Sequence, residues 1–316
     1  MLKPPTIESR SQVEELTKAL DTMTIARPAA VQVLTIVDDP NATVPRLASA
    51  IELDPALTAQ IMRLANSAFY GMSGRVGNAS FAVTVIGFSA VRSLAAVNAT
   101  SLDNPGVAKP ARFWEHAAAC AAGCAAVAPI FGITNGDAFA AGLLHDLGIA
   151  LLHRYDPAAH DALVSKWGTD GVALRDAEAA TLGLGHDEAA ARVLRAWNFP
   201  DAMVDAIALH HRPLEGAEPF TRLVVAGDGL AELVEFHRAA VLAARESRPL
   251  DDVDDIACDD APDAADSPAW SVATDPACGS AVELLLAAGI PENQIEALVA
   301  NTSMKAAEIL ASLPTD

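Results

Sequence analysis

Ala138 to Leu152 reads AFAAGLLHDLGIALL, an apolar run broken once, by the dipeptide His145-Asp146. Burying an unpartnered ionisable pair is expensive. The pair therefore requires partners, and the economical ones are a metal ion or further polar side chains. On a continuous helix adjacent residues point about 100° apart. Both side chains could then flank one ion, or two, beside such a helix.

Composition bounds the rest. The 316 residues allow one large or two medium domains, and a hydrophobic share of 52% is ample for a sizeable core. Alanine dominates and aromatics make up only 5%, a balance that favours helix over strand and predicts a nearly all-α protein. The formal charge of −20 argues against a non-specific grip on DNA, RNA or anionic lipid. Neither direct nucleic-acid binding nor membrane association is expected.

Much of that charge is local. DDVDDIACDDAPDAAD, Asp251 to Asp266, has no basic residue, so 244–276 reads as an acidic flexible insert, with a docking strip for a basic partner as the alternative. Lys3, Pro4 and Pro5 lead into polar residues rather than a secretory leader. Ala117 to Ile133 is uncharged, but it contains Gly123, Pro129 and Gly132 and falls short of the roughly 20 residues of a membrane span. It is read as a buried helix, and the chain as cytoplasmic. Among four cysteines none forms a CxxC pair, and Cys120 and Cys124 share a helix face as core fillers.

From the N-terminus the chain reads as short, well-punctuated helices. Ser11 to Thr22 is amphipathic, and Pro28 starts a helix that Asp38-Asp39-Pro40 ends. Thr43 and Asp54 are placed to cap VPRLASAIEL and PALTAQIMRLANSAFYG, the second of which is expected to run to Gly71. SFAVTVIGFSAVRSLAAV is helical despite its valines. No strand alternation persists, and no internal repeat is found. Residues 277–316 read as two helices around Gly289-Ile290-Pro291.

His116, His145, His186, His210 and His211 lie in apolar helical contexts, accompanied by Asp146 and Asp228. Imidazoles and carboxylates together suit iron, manganese or zinc, and a bridging Asp with His ligands on either side could hold two such ions. The ligands would come from different helices, so no local signature fixes their geometry. His153, His160 and His237 sit near charged neighbours and read as surface residues.

Several segments carry a family resemblance. LDPALTAQIMRLANSAFYG (Leu53 to Gly71) with AVTVIGFSAVRSL (Ala82 to Leu94) resembles the opening of the HDOD family, the HD-related output domains of bacterial signalling proteins; Asp54, Pro55, Leu57, Asn66, Ser67, Tyr70, Gly71 and Gly87 coincide. FWEHAAACA, GLLHDLGIALL, LGHDEAAARVLRAWNFPDAMVDAIALHH and VVAGDGL are similar, in the same order, to that family's HD-like core. The resemblance spans roughly 12–240. It implies a helical N-terminal half over 12–105, an HD-like half over 106–240 joined to it near Asp103 to Pro110, and C-terminal helices over 277–316 packing back.

By the same resemblance to HD and HD-GYP phosphohydrolases, His116, His145, Asp146, His186, His210, His211 and Asp228 are expected to be metal ligands. They would hold one or two transition-metal ions, iron or manganese ahead of zinc, and Asp146 would be the catalytic residue in an enzyme. Two departures weigh against catalysis. Ile149 stands where HD-GYP enzymes carry Lys, and HRPLEGAEPF (His211 to Phe220) lacks their Gly-Tyr-Pro loop. The motif offers an anionic substrate little beyond Arg192, Arg195, Arg212 and the ions.

The leading expectation is a non-catalytic or weakly catalytic signalling module that binds a signalling protein or a cyclic dinucleotide or other nucleotide. The alternative is a metal-dependent phosphohydrolase acting on such a nucleotide. Family analogy carries that ranking, because fold does not fix function.

Overall fold

The computed structural model describes residues 7–23, 27–102, 107, 109–168, 170–246 and 279–313. Among these every regular element is helical, in line with the composition. Five helices come first: α1 (Ile7–Met23), α2 (Pro28–Val37), α3 (Val44–Ile51), α4 (Pro55–Ala65) and α5 (Ala79–Ala99). The two caps read from the sequence form. The Thr43 hydroxyl accepts from the Arg46 N–H, and Asp54 Oδ1 accepts from the N–H groups of Ala56 and Leu57.

Helix α4 stops at Ala65, short of the expected Gly71. The reason is Asn66, whose amide donates to the Met62 and Val76 carbonyls while its Oδ1 accepts from the Val76 N–H. A short 3₁₀ turn, Ala68–Tyr70, then ends at Gly71 in the left-handed region. Helix α5 kinks at Gly87, where φ is 80° and ψ 167°, a conformation open to Gly at little cost. Beyond the kink every residue from Ala90 to Ala99 is buried. Among the described residues α5 is the helix long and apolar enough to cross a membrane, and 61% of its apolar window is buried in the core.

The second half begins with α6 (Phe113–Phe131), which packs between α7 (Asn135–Leu144), α13 (Pro219–Glu246) and α15 (Ile295–Leu310). It covers the stretch read as a buried helix and ends in a left-handed Gly132. Small residues set its distance from α13: a Cβ on Gly123 would lie 2.8 Å from the Gly227 carbonyl, and one on Gly227 would lie 2.2 Å from Cys124 Sγ. That close crossing turns His116 of α6 towards Asp228 of α13. Cys120 and Cys124 are buried core residues with sulfurs 4.0 Å apart.

Between them run α8 (Leu147–Tyr155), α9 (Pro157–Trp167), α10 (Gly171–Thr181), α11 (His186–Ala196) and α12 (Asp201–Leu209), with α14 (Gly279–Ala288) following α13. One contiguous apolar core extends from Leu16 to Leu313. Helix α1, first in sequence, lies against α8 and α11. A buried Arg92 on α5 donates to Asp38, just past α2, and to the Trp197 and Asn198 carbonyls at the end of α11, joining the N-terminal helices to the second half. The expected junction near Asp103 to Pro110 falls mostly, and the acidic insert at 244–276 almost wholly, outside the described residues.

Candidate metal centre

The HD dipeptide does not sit inside one helix. Helix α7 ends at Leu144, Asp146 has φ −101° and ψ 17°, and α8 starts at Leu147. The expectation of a continuous helix is therefore corrected: the polar pair breaks the apolar run. Asp146 stands at the N-terminus of α8 without capping it, which leaves both of its oxygens to the cluster.

Around this junction the fold gathers the seven residues singled out in the sequence. His116 comes from α6, His186 from the first position of α11, His210 and His211 from the end of α12, and Asp228 from α13. They form two adjoining groups, Asp146 with His186, His210 and His211, and His116 with His145 and Asp228. Asp146 serves both. Its Oδ1 lies 3.8 Å from His186 Nε2 and 3.6 Å from His210 Nε2, while Oδ2 lies 3.3 Å from His145 Nε2 and 3.6 Å from His116 Nε2. Asp228 Oδ1 stands 3.2 Å from His116 Nε2, and His211 Nε2 is 2.8 Å from His186 Nε2.

Four of the five imidazoles are tied at the other nitrogen. The Gly142 carbonyl accepts from His145 Nδ1 at 2.9 Å and the Ile207 carbonyl from His210 Nδ1 at 2.6 Å. Glu235 accepts from His116 Nδ1 at 3.1 Å, and Glu178 from His186 Nδ1 at 2.6 Å. With Nδ1 carrying the proton, each Nε2 presents a lone pair to the cluster, as a metal-ligating His requires. Asp146 Oδ1 and His210 Nε2 are buried with no hydrogen-bond partner. Such orphaned atoms are costly unless an ion completes them. The donor set fits a pair of first-row transition-metal ions.

Without an ion, protons take over the compensation. Burial opposes charge on His116, but Asp228 and Glu235 outweigh it and raise its pKa to about 10. Asp146 and Asp228 likewise hold His145 well above its usual value against burial. Burial also opposes ionisation of Asp146 and Asp228, yet the neighbouring histidines keep both carboxyls well below the normal range. His211 goes the other way, to about 2, through burial and then through His210 and His186.

The centre opens into a pocket of about 420 Å³ whose walls include Arg112, Ile149, Glu232, Glu235 and Phe236. Arg192, Arg195 and Arg212 do not reach it. They line a separate groove with Val13 and Asp21, where Arg192 faces Asp21 and Arg195 pairs with Asp205. The cation on the pocket wall is Arg112, which the sequence did not single out and which stands 3.7 Å from Glu235.

Two histidines read as surface residues are buried, His153 at 5% exposure and His160 at 0%, because α9 packs onto both α8 and α10. His237 is half-buried. The sequence reading also passed over Glu178, which is fully buried behind His186. In RDAEAAT it looks like one more charge on a solvated helix face.

Solved structures share this fold. A protein of Shewanella amazonensis SB2B named as a phosphohydrolase matches with a TM-score of 0.63 at 24% identity, over 94% of this chain and 97% of its own. A signal transduction protein of Marinobacter aquaeolei VT8 gives 0.59 at 20% identity, over 96% and 64%. An HDOD domain protein of Geobacter sulfurreducens gives 0.54 at 20% identity, over 95% and 97%. In sequence, an uncharacterized protein of Treponema pallidum (strain Nichols) is 22% identical over 231 residues, and the match spans 71% of this chain but only 45% of that relative's length. The HDOD domain model matches residues 25–213, the stretch that carries the N-terminal motif and six of the seven clustered side chains, and the chain belongs to the HDOD domain family.

Proposed function

We propose that the chain is a signalling module built around a two-ion transition-metal centre, iron or manganese ahead of zinc, which acts by binding a signalling protein and turns substrate over slowly or not at all. The observation that carries this reading is Asp146, one oxygen of which faces each ligand group. Bound ions in such a site polarise phosphoryl oxygens and lower the pKa of bound water. The chain's own residues offer little help to a phosphodiester beyond that. Ile149 places an aliphatic side chain on the pocket wall, and Arg112 stands 3.7 Å from the Glu235 carboxylate with Glu232 on the same wall. A developing anion there lacks the preorganised donors that usually supply most of the transition-state stabilisation.

The complete ligand set, open to a pocket, favours a second reading: a metal-dependent phosphohydrolase acting on a nucleotide or cyclic dinucleotide. A turnover assay with a cyclic dinucleotide, on protein loaded with Fe²⁺ or Mn²⁺, separates the two. The expected rate is far below the ordinary enzymatic range of about 1 per second or faster. Multiple turnover inside that range, abolished by Asp146→Ala, would make the enzyme the correct reading.

A further inference from the structure

Glu178 of α10 is fully buried, as is His160 of α9 behind it. A buried carboxylate costs several kcal/mol, on the order given for ions moved out of water, unless hydrogen bonds satisfy it. Here three donors do so. His160 Nε2 donates to Oε1 at 2.9 Å, and the backbone N–H and ring Nδ1 of His186 donate to Oε2 at 2.8 and 2.6 Å. Oε2 thereby holds both the start of α11 and the imidazole that α11 presents to the cluster.

The other tied imidazoles of the centre differ in their anchors. Backbone carbonyls hold His145 and His210, and Glu235, which holds His116, is partly exposed. Only at His186, among the described residues, does a carboxylate with no solvent access back a cluster histidine. A full negative charge there strengthens the Nδ1–H bond and makes the Nε2 lone pair more basic. Its field is also little screened by water.

We infer that Glu178, with its second oxygen fixed by His160, is a positioning residue for the ion held by Asp146, His186, His210 and His211, setting the affinity of that position and not of its neighbour. This inference rests on the two-ion reading of the centre. Glu178→Gln keeps the volume and one acceptor oxygen but removes the charge. His160 can adjust by moving its proton to Nδ1, which has no partner now.

The test is titration of metal-free protein with Mn²⁺ by calorimetry, alongside the thermal midpoint of the metal-free chain. Wild type is expected to take up two ions. In Glu178→Gln one step is expected to persist while the other weakens about 10- to 100-fold, the usual cost of an outer ligand partner, with the metal-free midpoint little changed. Titration of Glu178→Gln like wild type overturns the inference and leaves the two-ion reading standing. Equal weakening of both steps in parallel with a lower midpoint marks a structural role and overturns it as well. A wild type that takes up no Mn²⁺ removes both readings together. Should Glu178→Gln not fold, His160→Leu carries the test: a smaller loss at one step supports the inference, and two unchanged steps overturn it.

Discussion

Asp146→Ala is expected to release bound metal from both positions of the centre. It is the residue that contributes an oxygen to each ligand group, so its removal takes a ligand from each at once. Outer partners alone are worth about 10- to 100-fold in metal affinity, and a shared inner ligand should cost more than that at both positions. The variant also loses a carboxylate that raises the pKa of His145 and, beside Glu178, that of His186. Two imidazoles are then left with less reason to stay charged and less reason to stay close. Metal content measured by elemental analysis after dialysis should fall to background in Asp146→Ala and stay at the wild-type level in His237→Ala, since His237 belongs to neither group. Equal losses in the two variants would show that the metal was bound non-specifically.

The second large effect is expected at Gly148. A Cβ there would sit 1.9 Å from the His186 carbonyl oxygen and 2.6 Å from its carbon. Both are backbone atoms, so no side chain can rotate out of the way. The start of α8 and the start of α11 must separate, and these helices carry Asp146 and His186 at their ends. Overpacking of a closed core commonly costs about 1–3 kcal/mol and occasionally more, and a clash this close on rigid backbone belongs at the upper end. Gly148→Ala should therefore lower the thermal midpoint by several degrees, at about 2–4 °C per kcal/mol for a domain of this size. It should also weaken the ion position that includes His186. Gly77→Ala is the control, because a Cβ there meets nothing within 4 Å. A midpoint for Gly148→Ala equal to that of Gly77→Ala would contradict the packing described for α8 and α11.

Much of this centre was legible because the chemistry resides in residue identity. Imidazoles and carboxylates that interrupt apolar helices have few affordable fates, and all seven side chains named on that basis lie in the two groups. Helix starts at Pro28, Val44 and Pro55 were legible for a local reason too, since prolines and capping side chains act within one turn. The break at His145-Asp146 was not, because the residues directly beside the pair, Leu144 and Leu147, are good helix formers and the interruption follows from what the pair must face.

Glu178 and His160 were hidden for a related reason. Burial of a helix face depends on which helix packs over it, and the pattern around Glu178 is that of an exposed surface. The one available signal was the spacing between Glu178 and His186, with Gly183 and Gly185 between, which turns the chain back on itself. Arg192, Arg195 and Arg212 show the opposite error. Their positions near the ligand motifs suggested a phosphate contact, but Arg192 and Arg195 of α11, with Arg212 just past α12, line the separate groove instead of the pocket.

The central claim is that two ions sit on either side of Asp146. Anomalous diffraction from crystals of the protein as purified, collected above and below the iron and manganese edges, tests it most directly. Two peaks are predicted, one among Asp146 Oδ1, His186, His210 and His211 and one among Asp146 Oδ2, His116, His145 and Asp228. A map with no anomalous peak within bonding distance of Asp146, from protein supplied with iron and manganese throughout, would contradict it.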